Sequence, residues 1–332
     1  MERTQGIRGR RRSVRERGET YAALDLGTNN CRLLVAHPTA DGFRVVDAFS
    51  RIIRLGEGLS VNGRLSEAAI DRAVDALKVC AAKMRRRRVT RSRHVATEAC
   101  RRAANCDSFL ARVAEETGIT LEIISAEEEA GLALRSSAAL LDRGSPRALI
   151  FDIGGGSTEI IWLATGEVPE IIASISLPCG VVTMAERHGG HEVSRATFDA
   201  IAGEVRRLLE PFEACHGIRD EIAAGRAQML GTSGTVTTFA GVFMDLPRYE
   251  RARVDGCYLD FAECESVVAR LLAMSHAERA AHPCIGPERA DLVVPGAAIF
   301  AAIAESWPVG RLRVADRGLR EGILLGLMGR AP

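Results

Sequence analysis

Two segments far apart in this 332-residue chain carry the same arrangement of chemistry-bearing residues. Leu24-Asp25-Leu26-Gly27-Thr28-Asn29-Asn30-Cys31-Arg32-Leu33-Leu34-Val35 aligns without gaps on Phe151-Asp152-Ile153-Gly154-Gly155-Gly156-Ser157-Thr158-Glu159-Ile160-Ile161-Trp162. Each runs from apolar residues through an Asp into a glycine-bearing turn, then out into a second apolar run. Glycine has no Cβ, so the N–H groups of such a turn can surround an anion at close range. Gly27, Thr28 and Asn29 in one copy, and Gly154, Gly155, Gly156, Ser157 and Thr158 in the other, are therefore candidate phosphate contacts. Two turns in one register imply a duplicated domain pair that grips a phosphate chain from both sides. A tight hairpin is the plain alternative, but it needs fewer than three successive glycines, whose lost backbone freedom costs stability.

The copies differ in where a charge sits. Arg32 holds in the first the place that Glu159 holds in the second, so the halves divide their work. A carboxylate beside a phosphate chain is repelled unless a cation bridges them. Asp152 and Glu159, with Asp25 at the corresponding site, are candidate metal ligands, and a Mg2+ requirement follows if they face the phosphates. Further along, Ser125 precedes Glu127-Glu128-Glu129. Ser125 and Glu128 have capping-box spacing, and acids suit the first turn of a helix. Successive helix residues point about 100° apart, so at most one or two of the three acids face one cleft. Glu129 is not needed for capping. It is the candidate general base, because hydrolysing a phosphoanhydride requires water to be oriented and deprotonated. Arg101, past a short strand, and Arg289, near a helix start, are candidate phosphate forks, since a guanidinium pairs with two oxygens and keeps its charge. Gly231-Thr232-Ser233-Gly234 forms a third glycine and hydroxyl loop ahead of a helix.

These residues need a scaffold in which strands alternate with helices. Residues 21–26, 32–36 and 43–49 are predicted strands, the last two joined by the hairpin signal Asp41-Gly42. Ile70, Val74, Leu77, Ala81 and Met84 repeat at helical spacing behind Ser66. Four arginines at 85–88 close that helix where its dipole favours cations; docking of a polyanion is the alternative. A strand at 94–96, a helix over 107–118, a strand at 121–125 and a helix over 126–141 complete the first half. The second half has strands at 158–163, 171–177, 228–230 and 312–315. Its helices are predicted behind Ser194, Asp260 and Ser275, over 287–307, and over 318–328. The domain division is a basic tail over 1–19, a first domain over 20–142 with the closing helix 318–330 packed on it, and a second over 143–317.

Composition narrows the class. Apolar content of 47%, charged content of 26% and a net charge of +1 describe a soluble globular chain rather than a polycation. Charge concentrates in the tail, where Arg3, Arg8, Arg10, Arg11, Arg12, Arg15 and Arg17 stand among few apolar residues, the pattern of a disordered segment. Nucleic-acid binding rests on that tail and on residues 85–88 alone. Of 44 basic residues only Lys78 and Lys83 are lysine, so arginine abundance reflects base composition and each arginine needs a local argument. Nine cysteines show no metal-type spacing, which fits reduced thiols in a cytoplasmic protein. Short apolar runs predict no membrane span, and His188 and His191 read as a surface pair.

Taken together these motifs resemble the exopolyphosphatase and guanosine pentaphosphate phosphohydrolase (Ppx/GppA) family, from about Tyr21 to Gly329. The resemblance implies an α/β fold of two ribonuclease-H-like domains, of the actin-like superfold, with an interdomain cleft. Residues 25–32 resemble the family's first phosphate loop, and 152–159 its second, with Glu159 handling metal or water. Residues 96–101 resemble the segment that supplies a phosphate-binding Arg, here Arg101. In 124–130 the last Glu before Ala is the family's catalytic base, here Glu129. Residues 231–235 and 288–291 resemble later segments lining the cleft, and 318–322 the closing-helix signature. Ala126 stands where Gly is usual, and Asn30-Cys31 where Ser is commoner. The activity implied is Mg2+-assisted release of terminal phosphate from inorganic polyphosphate, or of the 5′-γ-phosphate of guanosine pentaphosphate (pppGpp). Resembling proteins are commonly homodimers. An ATP-dependent kinase of the same superfold and a non-catalytic alarmone sensor are the competing readings; retention of Glu129 argues against the sensor.

Overall fold

The computed structural model describes residues 18–40, 42–189 and 193–330. Most of the basic tail, Asp41 of the hairpin signal and His191 lie outside the described residues. Strands β1 (Tyr21–Leu26), β2 (Asn30–Thr39) and β3 (Gly42–Ile52) form an antiparallel meander. On the other side of β1, β4 (Arg91–Ala96) and β5 (Glu122–Ile123) add in parallel, giving the order β3-β2-β1-β4-β5. The second half repeats this plan with β6 (Arg147–Ile153), β7 (Thr158–Ala164), β8 (Glu170–Leu177) and β9 (Ala227–Thr232), then β10 (Tyr258–Asp260) and β11 (Arg311–Ala315). The order is β8-β7-β6-β9-β11, with β10 antiparallel at the edge. One topology used twice is what duplicated turns in matching register require.

Strand alternation decides which residues face the space between the sheets. Successive side chains point to opposite faces. In β1, Ala22, Leu24 and Leu26 pack outward with residues of the helices Glu67–Arg86 and Cys106–Thr117. Tyr21 and Ala23 pack inward, and Asp25 shares their parity. In β6, Leu149, Phe151 and Ile153 join the large outer core, whereas Ala148 and Ile150 point inward with Asp152 next in step. The inner faces are closed by two helices. Leu319, Ile323 and Leu324 of the closing helix (Leu319–Leu327) cover the first sheet. The helix Ala126–Ser137 bridges both, with Leu132 in the first inner cluster and Ala130, Ala133 and Leu134 in the second.

Caps stand where the sequence signals them. Ser66, Ser125 and Ser194 each accept a hydrogen bond from the N–H three residues on, and Asp260 and Ser275 form capping boxes. Three boundaries differ from expectation. The helix placed over 287–307 begins at Val293, because 283–292 is turned chain that lines the cleft. The helix over 126–141 ends at Ser137 and tightens into a 3-10 turn, Ala138–Leu140. The strand at 121–125 shrinks to two residues at a sheet edge, where pairing on one side supports less. Strand β10 and the helix Val181–His188 have no clear periodic signal. At the end of the helix Glu67–Arg86, Lys83, Arg86 and Arg87 converge on Asp47 of β3 at 2.6, 3.0 and 2.8 Å. Those cations hold the Asp47 carboxyl well below the usual range. Much of the charge read as a polyanion dock is therefore matched within the lobe.

Candidate active site

The two glycine turns meet face to face. Gly27 N–H donates to Asn30 O at 2.9 Å and Gly154 N–H to Ser157 O at 3.0 Å, so the turns close alike. A Cβ added at Gly155 would lie 3.0 Å from Asn29 Cβ, and one at Gly156 would lie 2.6 Å from Thr28 Oγ1. A Cβ at Gly154 would lie 3.0 Å from Ser157 O of its own turn. The three glycines are thus explained in part by protein, not ligand: the second turn must let the first one approach. Two further contacts span the lobes, Arg54 to Asp291 at 3.1 Å, and Glu186 accepting from Gly58 N–H and Ser60 Oγ–H at 2.8 Å each.

Around this junction lies a cavity of about 820 Å³. Of the residues singled out in the sequence, Asp25, Gly27, Thr28, Asn29, Arg32, Glu129, Asp152, Gly154, Gly155, Gly156, Ser157, Glu159, Thr232, Ser233, Gly234 and Arg289 line it. Three do not. Thr158 is fully buried and donates to Cys179 O at 2.6 Å. Gly231 is a packing glycine: a Cβ there would strike Phe151 Cζ at 2.5 Å. Arg101 stands behind the wall, donating to Glu129 Oε2 at 2.7 Å, to Ile124 O at 3.0 Å and to Glu98 Oε2 at 3.1 and 3.2 Å.

The acidic run resolves by helix geometry. Glu127 is exposed, Glu128 turns to Arg93 at 2.5 Å, and Glu129 is 8% exposed and faces the cavity. Burial, then the charge of Glu159, pushes the Glu129 carboxyl well up, against the pull of Arg101. Asp152 and Glu159 are direct cross-strand partners, as are Asp25 and Arg32. Burial and then Asp152 raise Glu159 to about 7, although Ser157 and Ser176 hydroxyls donate to its Oε1 at 2.6 and 2.9 Å. Burial raises Asp152 to about 6, with Arg32 lowering and Asp25 raising it. Burial likewise raises Asp25, while Arg32 and Arg320 lower it.

Burial raises the pKa of Asp25, Glu129, Asp152 and Glu159, and another carboxylate of this set raises the last three further, while Arg32, Arg101 and Arg320 oppose the rise. The buried Asn29 Oδ1 has no partner among the described residues. Among the described residues no three acidic, His or Cys groups stand together so as to hold a metal ion by themselves.

Cations line the same cavity. The side chains of Arg32, Arg289 and Arg320 make no hydrogen bond or ion pair among the described residues, and all three line the cavity. Burial lowers the pKa of Arg289 and Arg320, and the charge of Arg32 lowers both further. Clustering unpaired guanidinium groups in a half-buried wall is costly unless an anion completes it. Arg320 was missed as a site residue; its signal was its place in the closing-helix motif 318–322. Ser233 sits at φ 81°, a strained value for serine, and donates to Ile153 O at 2.5 Å. It heads the helix Gly234–Phe243, whose first residues Gly234 and Thr235 line the cavity. A helix N-terminus there adds free N–H groups to the anion wall.

The profile of the Ppx/GppA phosphatase family matches residues 34–331. Exopolyphosphatase 2 of Mycobacterium tuberculosis is 34% identical over 327 residues, which cover 93% of this chain and 98% of that protein. The guanosine-5′-triphosphate,3′-diphosphate pyrophosphatase of Aeromonas salmonicida is 30% identical; the match covers 93% of this chain but 59% of that longer protein. Among solved structures, the Aquifex aeolicus Ppx/GppA family member superposes with a TM-score of 0.75 at 27% identity, covering 93% of this chain and 97% of that one. An exopolyphosphatase from Cytophaga hutchinsonii shares the fold, with a TM-score of 0.84 at 24% identity over 94% and 99% of the two chains. No helix among the described residues is long and apolar enough to cross a membrane. The repeated strand order, the facing turns and these matches agree: the chain belongs to the Ppx/GppA phosphatase family.

Proposed function

We propose that this protein hydrolyses the terminal phosphoanhydride of a polyphosphate chain, inorganic polyphosphate or the 5′-triphosphate of pppGpp. The observation that carries the reading is a buried carboxylate, Glu129, facing a cavity that three arginines with no hydrogen-bond or ion-pair partner among the described residues also line. The names of the relatives support the same chemistry. In this reading the glycine turns and the head of the helix Gly234–Phe243 hold phosphate oxygens through N–H groups. Arg32, Arg289 and Arg320 neutralise the chain and orient it for in-line attack. Asp152 and Glu159, with Asp25 across the junction, would hold Mg2+, which screens the phosphate charge and stabilises charge developing on the leaving oxygen. Glu129 orients the attacking water and takes its proton. Arg101 fixes the Glu129 carboxylate and opposes the pKa rise that burial causes. A base of this kind is worth roughly 10²–10⁴ in rate.

The test is phosphate release from inorganic tripolyphosphate, long-chain polyphosphate and pppGpp, each with and without Mg2+. Mg2+-dependent release of one phosphate at a time from at least one of them is the expected result. Glu129→Gln is expected to keep the far-ultraviolet circular dichroism of the parent and to lose release. Release at the parent rate would remove Glu129 from the mechanism.

A further inference from the structure

Arg101 differs from the three arginines that line the cavity, because its donors are nearly all taken. A guanidinium has five N–H groups. Nη1 donates to Glu129 Oε2 at 2.7 Å and to Ile124 O at 3.0 Å, while Nε and Nη2 both reach Glu98 Oε2, at 3.2 and 3.1 Å. One N–H is left over, and a phosphate fork needs two side by side. The resemblance assigns Arg101 to phosphate, yet here the edge that would make that fork is filled by Glu98.

Glu98 is placed for this contact. It lies three residues before Arg101 on the helix Glu98–Arg102, so the two side chains share a face. It lines the cavity, whereas Arg101 does not. Its Cγ lies 3.2 Å from where a Gly156 Cβ would sit, so its stem rests against the second glycine turn while its carboxylate holds Arg101. Burial works against the charge of Arg101, but the carboxylates of Glu129 and Glu98 more than offset it. An acid in a first turn suits the helix dipole, but that calls for no contact with Arg101. A carboxylate lining a cavity for a polyanion also repels the ligand, so its presence there needs a reason.

A phosphate chain entering the cavity attracts every guanidinium within reach. An arginine with a free edge would turn to the incoming oxygens and let go of the carboxylate it was holding. We infer that Glu98 is a positioning residue: it fills the phosphate-binding edge of Arg101 and so keeps Arg101 on Glu129 while substrate is bound. Glu98 acts through Arg101 alone and touches no reacting atom. The inference rests on the phosphate-hydrolysing reading above and adds to it a division among the arginines, with Arg32, Arg289 and Arg320 on the substrate and Arg101 on the base.

The experiment is a double-mutant cycle on Glu98→Ala and Arg101→Gln, with Glu98→Gln as the conservative variant. It reads kcat and KM for phosphate release from inorganic tripolyphosphate with Mg2+, and tripolyphosphate binding by calorimetry without Mg2+. Glu98→Ala should lower kcat about 10–100-fold, leave KM unchanged or lower, and tighten binding, because the freed edge of Arg101 turns to phosphate. Glu98→Gln keeps an oxygen that can accept both bonds and should recover most of the kcat. Arg101→Gln should lower kcat and leave binding within about 3-fold. Adding Glu98→Ala to Arg101→Gln should lower kcat no further. A further loss in the double variant, a raised KM in Glu98→Ala, no recovery in Glu98→Gln, or weakened binding in Arg101→Gln would each overturn the inference and leave the hydrolytic reading standing. Binding that follows this pattern in a parent that releases no phosphate from any substrate would do the reverse.

Discussion

The two lobes place a charged pair at the same point of the same sheet, and the pairs differ. In the first lobe Asp25 faces Arg32 across β1 and β2; in the second Asp152 faces Glu159 across β6 and β7. Directly opposed unlike charges stabilise a sheet and directly opposed like charges strain it. In the first lobe the Arg32 charge pulls the Asp25 pKa down against burial, although the two side chains form no ion pair and Arg32 lines the cavity. The second carries two buried carboxylates whose pKa values are raised to about 6 and about 7. In the proposed reading the first half would hold anion and the second a cation, and a phosphate chain with Mg2+ would match both.

That contrast can be broken at several places. The largest effect is expected at Glu129, where both lobes' carboxylates converge on one base. Glu129→Gln should lower phosphate release by roughly 10²–10⁴, read by a continuous phosphate assay. Next comes the cation-holding pair: Asp152→Asn or Glu159→Gln should raise the Mg2+ concentration for half-maximal rate by about 10–100-fold, read by Mg2+ titration. Replacing the anion-holding partner, Arg32→Gln, should instead raise KM for the phosphate substrate and leave the Mg2+ midpoint nearly in place. Identical kinetic signatures in these variants would show that the lobes do not divide their work.

A pH experiment sharpens the same contrast. Without metal, the pKa of Glu159 rises from 4.5 in the unfolded chain to about 7 in the fold. The folded state then holds the proton more tightly, so this contribution to stability is fully present below about pH 4.5 and is lost as pH rises through 7. Glu159→Gln should flatten the pH dependence of the denaturant midpoint across that window. Mg2+ binding to the parent should release protons at pH 6 and fewer at pH 8, read by calorimetry in buffers of different ionisation enthalpy. The smallest effect is steric. Gly156→Ala would set a Cβ 2.6 Å from Thr28 Oγ1, so the facing turns must shift, and it should lower kcat/KM about 10-fold.

Much of this was legible in the chain. The gapless match of 24–35 to 151–162 announced a duplicated fold, and period-two alternation in β1 and β6 sent both aspartates inward. Ser125 fixed the phase of its helix, and so which of three glutamates is buried. Other features were illegible because they depend on contacts made across long stretches of sequence. The need for Gly155 and Gly156 arises from Thr28 and Asn29, more than a hundred residues away. Thr158 looks like a phosphate ligand in the motif, but Cys179 O claims its hydroxyl. Arg101 and Arg320 carry no local mark that tells which one stands behind the wall and which one lines it. Residues 288–291 were expected to line the cleft but as part of a helix over 287–307; the helix that follows is buried on nearly every side, so no change of period marks where it starts.

The closing helix has a consequence for how the chain is made. Leu319, Ile323 and Leu324 cover Tyr21, Ala23 and Leu34, which leave the ribosome some three hundred residues earlier. The first lobe's inner surface must therefore wait, uncovered, until nearly all of the second has been synthesised, and its completion is a late, long-range step. A nascent chain arrested near residue 310 is expected to expose Tyr21 and Ala23 to limited proteolysis, while the outer core built on Leu24 and Leu26 resists it. Early protection of both faces would rule that order out.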